Sequence, residues 1–312
     1  MIKYYIFNFF KKIDLYTSYS YINVIMPKCT NDATKTYTGA ETSPKGLGIS
    51  ASGEDANKIL LGKDKNLWIV KENIKQVKRW TRFTIDFNSL IDLDYRIAYF
   101  PCVSNEVIEN ENGKEQKFGG KKPFFIKGEK WPMDNDIPMT FFCQFIDPRS
   151  GKNPNMLYRV FLPIDSDDML EKNWISKIEL NDTNLNNQII IEKPICNKEK
   201  TLYDEITTFD AYCIKKYQTK CELYHYEYYK NKFNIPEIKY NEDILYDSYC
   251  ESKYFPCSSI KIGGTPQSTQ DNKSVENYDL IQLTDSKFLP YGWGDAGIGH
   301  ISEDCKLIWD CC

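Results

Sequence analysis

At 312 residues, with 41% hydrophobic and 27% charged side chains, the chain has the composition of an ordinary soluble protein and apolar material for one large domain or two smaller ones. Its net charge of -4 gives no chain-wide electrostatic footprint for nucleic acid, so any such footprint has to be local, as in the lysine-rich runs Lys63–Arg79 and Lys117–Lys130. An aromatic share of 14%, mostly Tyr and Phe, suits half-buried strands and favours a sheet-rich fold.

The opening "MIKYYIFNFFKK" is apolar, but it is far shorter than the roughly 20 residues that cross a bilayer and lacks a small-residue cleavage site. Residues 1–30 are therefore expected to be a loosely attached extension, with Met26 as an alternative start. Residues 31–80 read as a small N-terminal module. In it "SPKGLGISASGEDANKILLGKDKNLWIVKEN" predicts a Gly-rich loop, a short helix capped by Ser52 and ended by Gly62, a turn at "KDKN", and a strand anchored by Trp68. The glycines of this loop lack the spacing of a dinucleotide fingerprint, and no βαβ unit surrounds them.

Residues 81–312 form the expected main domain. "RFTIDFNSLIDLDYRIAYFPCV" alternates apolar and polar residues with no helical period, which predicts strand, and a polar loop follows over Ser104–Gln116. "PMTFFCQFID" and "NMLYRVFLPID", joined by "PRSGKNPN", read as a hairpin, and "ISKIEL" and "QIIIEKP", flanking "NDTNLNN", as a second one. Thr201–Lys232, centred on "KCELYHYEYYKNKF", is the strongest helical candidate and separates two halves.

Those halves share an order of features. Phe118-Gly119-Gly120 leads through Pro123 and Trp131-Pro132 to an apolar strand holding Gln144. Ile262-Gly263-Gly264 leads through Pro266 and Gln270 to an apolar strand holding Gln282. Paired glycines permit positive φ and close backbone approach, as a tight crossing between strands requires. The expected fold is therefore α+β, a largely antiparallel sheet with two pseudo-duplicated halves and a helical insertion between them.

Together with "YGWGDAGIG" near the C-terminus, these motifs resemble the YwqG-like family, a bacterial and viral domain of unknown function. The matching positions are Gly119-Gly120, Trp131-Pro132, Gln144, Gly263-Gly264-Thr265-Pro266, Gln270, Gln282 and the turn Gly294-Asp295-Ala296-Gly297 after Trp293. Lys121 and Lys122 add one residue before Pro123 in the first turn, which is a departure from the pattern. The segment "YTGAETSPKGLGISASGE" is similar to a short module of large DNA viruses of the mimivirus type. The resemblance implies a sheet-rich fold and a viral accessory or virion-associated protein in host cytoplasm or virion.

No G-x-S-x-G or H-E-x-x-H motif is present, so the expected role is binding of a protein partner rather than catalysis, with no cofactor, no membrane and no nucleic-acid partner. The candidate binding residues are Gln144, Gln282, Trp131, Trp293, Asp295 and His300. The alternative is an enzyme with a polar site around Asp295, His300 and Cys305. Buried amides need partners, so Gln144 and Gln282 have two readings: each bonds main chain within its own half, or both face a shared cleft with Trp131 and Trp293. Eleven Cys without a C-x-x-C pair, and only two His, predict reduced thiols and no zinc. Should a bridge form, it is expected to join Cys305 or Cys257 to one of Cys311 and Cys312.

Overall fold

The structure, a computed structural model, describes residues 26–149, 155–163, 173–194, 209–236, 242–269, 280–289 and 297–310. The chain divides into two compact units, Met1–Thr84 and Ile85–Cys312. Residues 1–25 of the expected N-terminal extension, Gln270, Trp293, Gly294, Asp295, Cys311 and Cys312 lie outside the described residues. Residues 26–30 of that extension are described and pack into the first unit, with Cys29 buried and Lys28 bridged to Thr36.

The first unit is built on a three-stranded antiparallel sheet, β1 (Ile59–Leu61), β2 (Leu67–Glu72) and β3 (Lys78–Arg82), in that order. The "KDKN" turn joins β1 to β2. Lys65 sits there at φ 63°, and Asp64 Oδ1 accepts from the Asn66 amide at 3.0 Å and from Trp68 Nε1 at 3.1 Å. The helix expected between Ser52 and Gly62 is not formed. A short 3-10 turn covers Ala51–Gly53, and β1 follows. Asn31 is the reason, because its side chain takes the groups a helix start would use. Its Oδ1 accepts from Ser50 N, and its Nδ2 donates to Ser50 O and to Glu54 Oε1, each at 2.8 Å. Ser52 donates its hydroxyl to Asp32 instead of capping. Gly62 is required for closeness, since a Cβ there would lie 2.4 Å from Trp68 Nε1.

The second unit is α+β and dominated by one large antiparallel sheet, ten-stranded among the described residues. Its centre is a long pair, β4 (Tyr95–Val107) against β13 (Tyr212–Leu223), running from Tyr95↔Leu223 to Val107↔Tyr212. Outward from β13 come β5 (Lys117–Phe118), β9 (Thr140–Ile146), β10 (Met156–Leu162) and β11 (Trp174–Glu179). Outward from β4 come β14 (Lys261–Gly263), β15 (Ile281–Thr284), β16 (Ile298–Ile301) and β17 (Leu307–Asp310). Short strands β6 (Phe125–Ile126) and β12 (Gln188–Ile189) pair with one another, as do β7 (Met133–Asp134) and β8 (Ile137–Pro138). The helices are α1 (Asp182–Asn186), α2 (Tyr226–Phe233) and α3 (Glu242–Cys250).

One face of the sheet buries a single apolar cluster drawn from both flanks, including Phe142, Phe145 and Tyr158 with Ile262, Ile281, Leu283, Ile301 and Leu307. Tyr229 of α2 and Tyr249 of α3 meet Phe87 edge-on at 5.5 Å, which anchors the helices to an irregular stretch that was expected to be strand.

The hairpin of β9 and β10 forms as expected. Two other expectations fail. Over Tyr212–Leu223 the chain is the strand β13, not helix; α2 covers only Tyr226–Phe233, and residues 201–208 lie outside the described residues. The ladder with β4 pairs one edge of β13 along its length, while register irregularities at Tyr212/Ile214 and Ile214/Lys216 break the alternation that would have marked a strand. The segments "ISKIEL" and "QIIIEKP" do not pair either. β11 pairs with β10 and β12 with β6, because Asn181 accepts from Asn184 N and turns the intervening Asn-rich segment into α1.

Candidate functional site

Each Gly-Gly turn closes around a buried lysine. In the first, Lys117 is fully buried and its Nζ donates to Glu111 Oε2 at 2.6 Å and to Lys122 O at 2.8 Å. In the second, Lys261 is fully buried and donates to Glu222 Oε2 and Thr265 O, both at 2.7 Å. Lys117 is thus a core residue, although its lysine-rich run reads as a solvated face. Burial lowers the Lys261 pKa, and Glu222 opposes that shift.

The glycines are needed twice over. Gly120 and Gly264 have φ of 98° and 75°, and a Cβ on either would stand 2.4 Å from Oε2 of Glu111 or Glu222. That Cβ would also press on the Ala211 Cβ in the first turn and on the Ala98 Cβ in the second. Gly119 and Gly263 both have φ 65° and donate their amides to Phe142 O and Leu280 O at 2.8 and 2.9 Å.

The two glutamines complete these clasps. Gln144 Oε1 accepts from Phe124 N at 2.9 Å, and its Nε2 donates to Gly113 O and Glu115 O. Gln282 Oε1 accepts from Gln267 N at 2.9 Å, and its Nε2 donates to Cys257 O and Ser259 O. Both side chains are buried with their amides committed to main chain.

Beyond the glutamines the two flanks part. Cross-strand register places Arg159 next to Gln144 and His300 next to Gln282. Every guanidinium nitrogen of Arg159 has a partner: Nη1 donates to Phe124 O at 2.7 Å, Nη2 to Glu129 Oε1 at 2.8 Å, and Nε to Ser176 Oγ at 3.0 Å. His300 is fully buried, and among the described residues neither ring nitrogen reaches a hydrogen-bond partner. Burial brings its pKa down to about 4 against the charge of Asp310, while the Gln267 backbone approaches without reaching bonding geometry.

The next row outward differs as strongly. On the first flank it is Ile146, Leu157 and Ile178, packed under Phe124 with Ile126 and Leu185. On the second it is Thr284, Ile298 and Asp310, and Asp310 Oδ2 accepts from Ser268 Oγ and Thr269 N, both at 2.6 Å. Here a cleft of about 730 Å³ opens. Its walls carry the hydroxyls of Ser258, Ser259, Ser268, Thr269, Thr284 and Ser286 and the rings of Phe100 and Phe288. Among the described residues its ionisable lining group is Asp285, and Thr269 Oγ1 is buried in the wall without a partner.

The other candidate residues fall elsewhere. Trp131 belongs to an apolar cluster with Phe125, Met139, Phe141 and Phe161, donates Nε1 to Met139 O at 2.8 Å, and borders a separate cavity of about 240 Å³. Gly297 lines the larger cleft. His300 and Cys305 do not form a dyad. Adjacent His300 and Ile301 point to opposite faces of β16, and Cys305 packs against the cluster on the Ile301 face, its thiol pKa pushed up by burial. Eight cysteines among the described residues are free thiols, and no cluster of three or more His, Cys, Asp or Glu among those residues could hold a metal. No helix among them is long and apolar enough to cross a membrane.

Sequence reasoning missed the lysines and their glutamates. The signal was present as Lys-apolar-Gly-Gly in both turns, Lys117 to Gly120 and Lys261 to Gly264, with Ala211-Tyr212 and Ala98-Tyr99 as the strand each turn crosses. Compared with known proteins, the chain matches no family model and no curated protein.

Proposed function

We propose that residues 85–312 form a duplicated binding domain, YwqG-like in kind and without catalytic chemistry, whose second half receives a polypeptide partner in the cleft beside Thr284. Support for the duplication is the repeated clasp of Lys, Glu, Gly-Gly and Gln, together with the matching run of strands on either side of β4 and β13. In this reading α2 and α3 are an insertion between β13 and β14, where the first half has the short connection 108–116. The viral accessory role implied by the sequence resemblance is carried with it.

The observation that carries the binding role is divergence at one place. Two halves that agree in their inner rows differ in the outer row, apolar and filled in one, hydroxyl-rich and open in the other. Hydroxyls that donate and accept suit main-chain amides of an extended segment, and the two phenyl rings suit an apolar side chain within it. With no lysine or arginine among the described lining residues, the partner segment is neutral or basic.

The test is a plug. Ser258 is exposed on the cleft wall, so Ser258→Trp should fill the cleft without disturbing the core. A partner recovered by the wild type from source cells and lost with the plug variant supports the reading. A partner set unchanged by the plug overturns it.

A further inference from the structure

The whole-chain charge of -4 hides a local surplus in the first unit, where residues 26–84 carry eleven Lys and Arg against six Asp and Glu. Part of that surplus converges. A cleft of about 500 Å³ within this unit is lined by Lys35, Lys45, Lys78 and Arg79, with Trp80 and three serine hydroxyls between them. No carboxylate lines it among the described residues.

Two acids lie nearby. Glu41 accepts from Thr38 and pairs with Lys45 at 3.4 Å, while Asp32 accepts from the neutral Ser52 and Thr34 groups and so keeps its charge, against four cations in the lining. The cations are less compensated. Lys78 Nζ donates to the neutral Glu54 carbonyl at 2.7 Å, so its charge stays in the cleft wall, and the exposed Arg79 guanidinium makes no ion pair among the described residues. Trp80 donates Nε1 to Ile49 O at 2.9 Å, which fixes its ring in the same wall.

Cations arrayed in a recess with the Ser43 hydroxyl match the oxygens of successive phosphates, and an aromatic ring beside them offers a face to an unpaired base. We propose that this cleft binds the sugar–phosphate backbone of single-stranded nucleic acid, with a base against Trp80. A membrane surface is the poorer match, because the cations line a concavity rather than a flat face. This assignment is independent of the partner cleft in the second unit, since none of its residues belongs to that unit.

The experiment uses the full chain and a fluorescein-labelled oligo-dT, with anisotropy read from about 50 to about 200 mM salt. Four phosphates neutralised predict a log–log slope of about -3, from about -0.7 for each. Lys35→Ala with Arg79→Ala, both at exposed positions, should bring the slope to about -1.5 and weaken binding at least about tenfold at low salt. Lys215→Ala with Lys216→Ala, on exposed positions of β13, should leave both unchanged. A duplex of equal length should compete less well than the single strand. Absence of binding at low salt, equal loss in the β13 control, equal competition by duplex, or binding to phosphatidylserine vesicles without binding to the oligonucleotide would each overturn the proposal.

Discussion

His300 should make the second unit acid-labile in a way that one substitution removes. The imidazole is fully buried with both nitrogens unpartnered among the described residues, and its folded pKa is about 4 against an ordinary 6.5. Between those values the unfolded chain holds a proton that the folded chain refuses, so stability rises with pH across the window and falls as pH drops from about 6.5 to about 4. The gap corresponds to a loss of ~3 kcal/mol once the pH reaches the folded value. His300→Leu abolishes this titration, and since it breaks no hydrogen bond it should cost less than about 1.5 kcal/mol at neutral pH. Urea denaturation of both proteins at several pH values measures the difference. The wild type should lose about 3 kcal/mol relative to the variant between pH 7 and about pH 4. Carboxylates that do not act on His300 drop out of that comparison, whereas Asp310, whose charge acts on the imidazole, titrates as part of the pair that it measures. The chain has two histidines, His225 and His300, so the variant also assigns the imidazole signals for a direct NMR titration. A His300 signal titrating near 6.5, or a stability gap that does not move with pH, would refute the reasoning.

The clasps give three further expectations, each read as a shift in denaturation free energy. Lys261→Met leaves the Glu222 carboxylate buried without its cation and should cost about 3–5 kcal/mol; Lys117→Met should act in the same direction but less, because Glu111 is more exposed than Glu222. Gly264→Ala combines positive φ with a Cβ 2.6 Å from the Ala98 Cβ, so it should cost about 2 kcal/mol more than Gly128→Ala, where φ is also positive but nothing lies within 4 Å. Gln282→Leu strands the Gln267 amide and the Cys257 and Ser259 carbonyls and should cost about 1–3 kcal/mol.

The parts of the fold legible in the sequence were those fixed by local chemistry. Paired glycines announced positive φ, and "KDKN" announced a turn; both are found. The β9–β10 hairpin was legible because its turn residues separate two apolar runs. β13 was not, because its mixture of Tyr, Lys and Glu suits a helix locally and only the long-range ladder with β4 decides the matter. Likewise, the burial of Lys117 depends on Glu111 and on a carbonyl five residues away folding over it, which a lysine-rich run conceals. Nor could composition separate His300 from a catalytic candidate. Its isolation follows from which face of β16 it occupies and from what its neighbours on β15 and β17 are.

Photo-crosslinking tests the partner cleft most directly. A benzoylphenylalanine placed at Ser286, on the cleft wall, is compared in source cells with one placed at the exposed Lys127 on the first half. The account predicts a discrete adduct from position 286 that disappears when Ser258→Trp is added, and none from position 127. No adduct from position 286, or an adduct that survives the plug or forms equally from position 127, would contradict it.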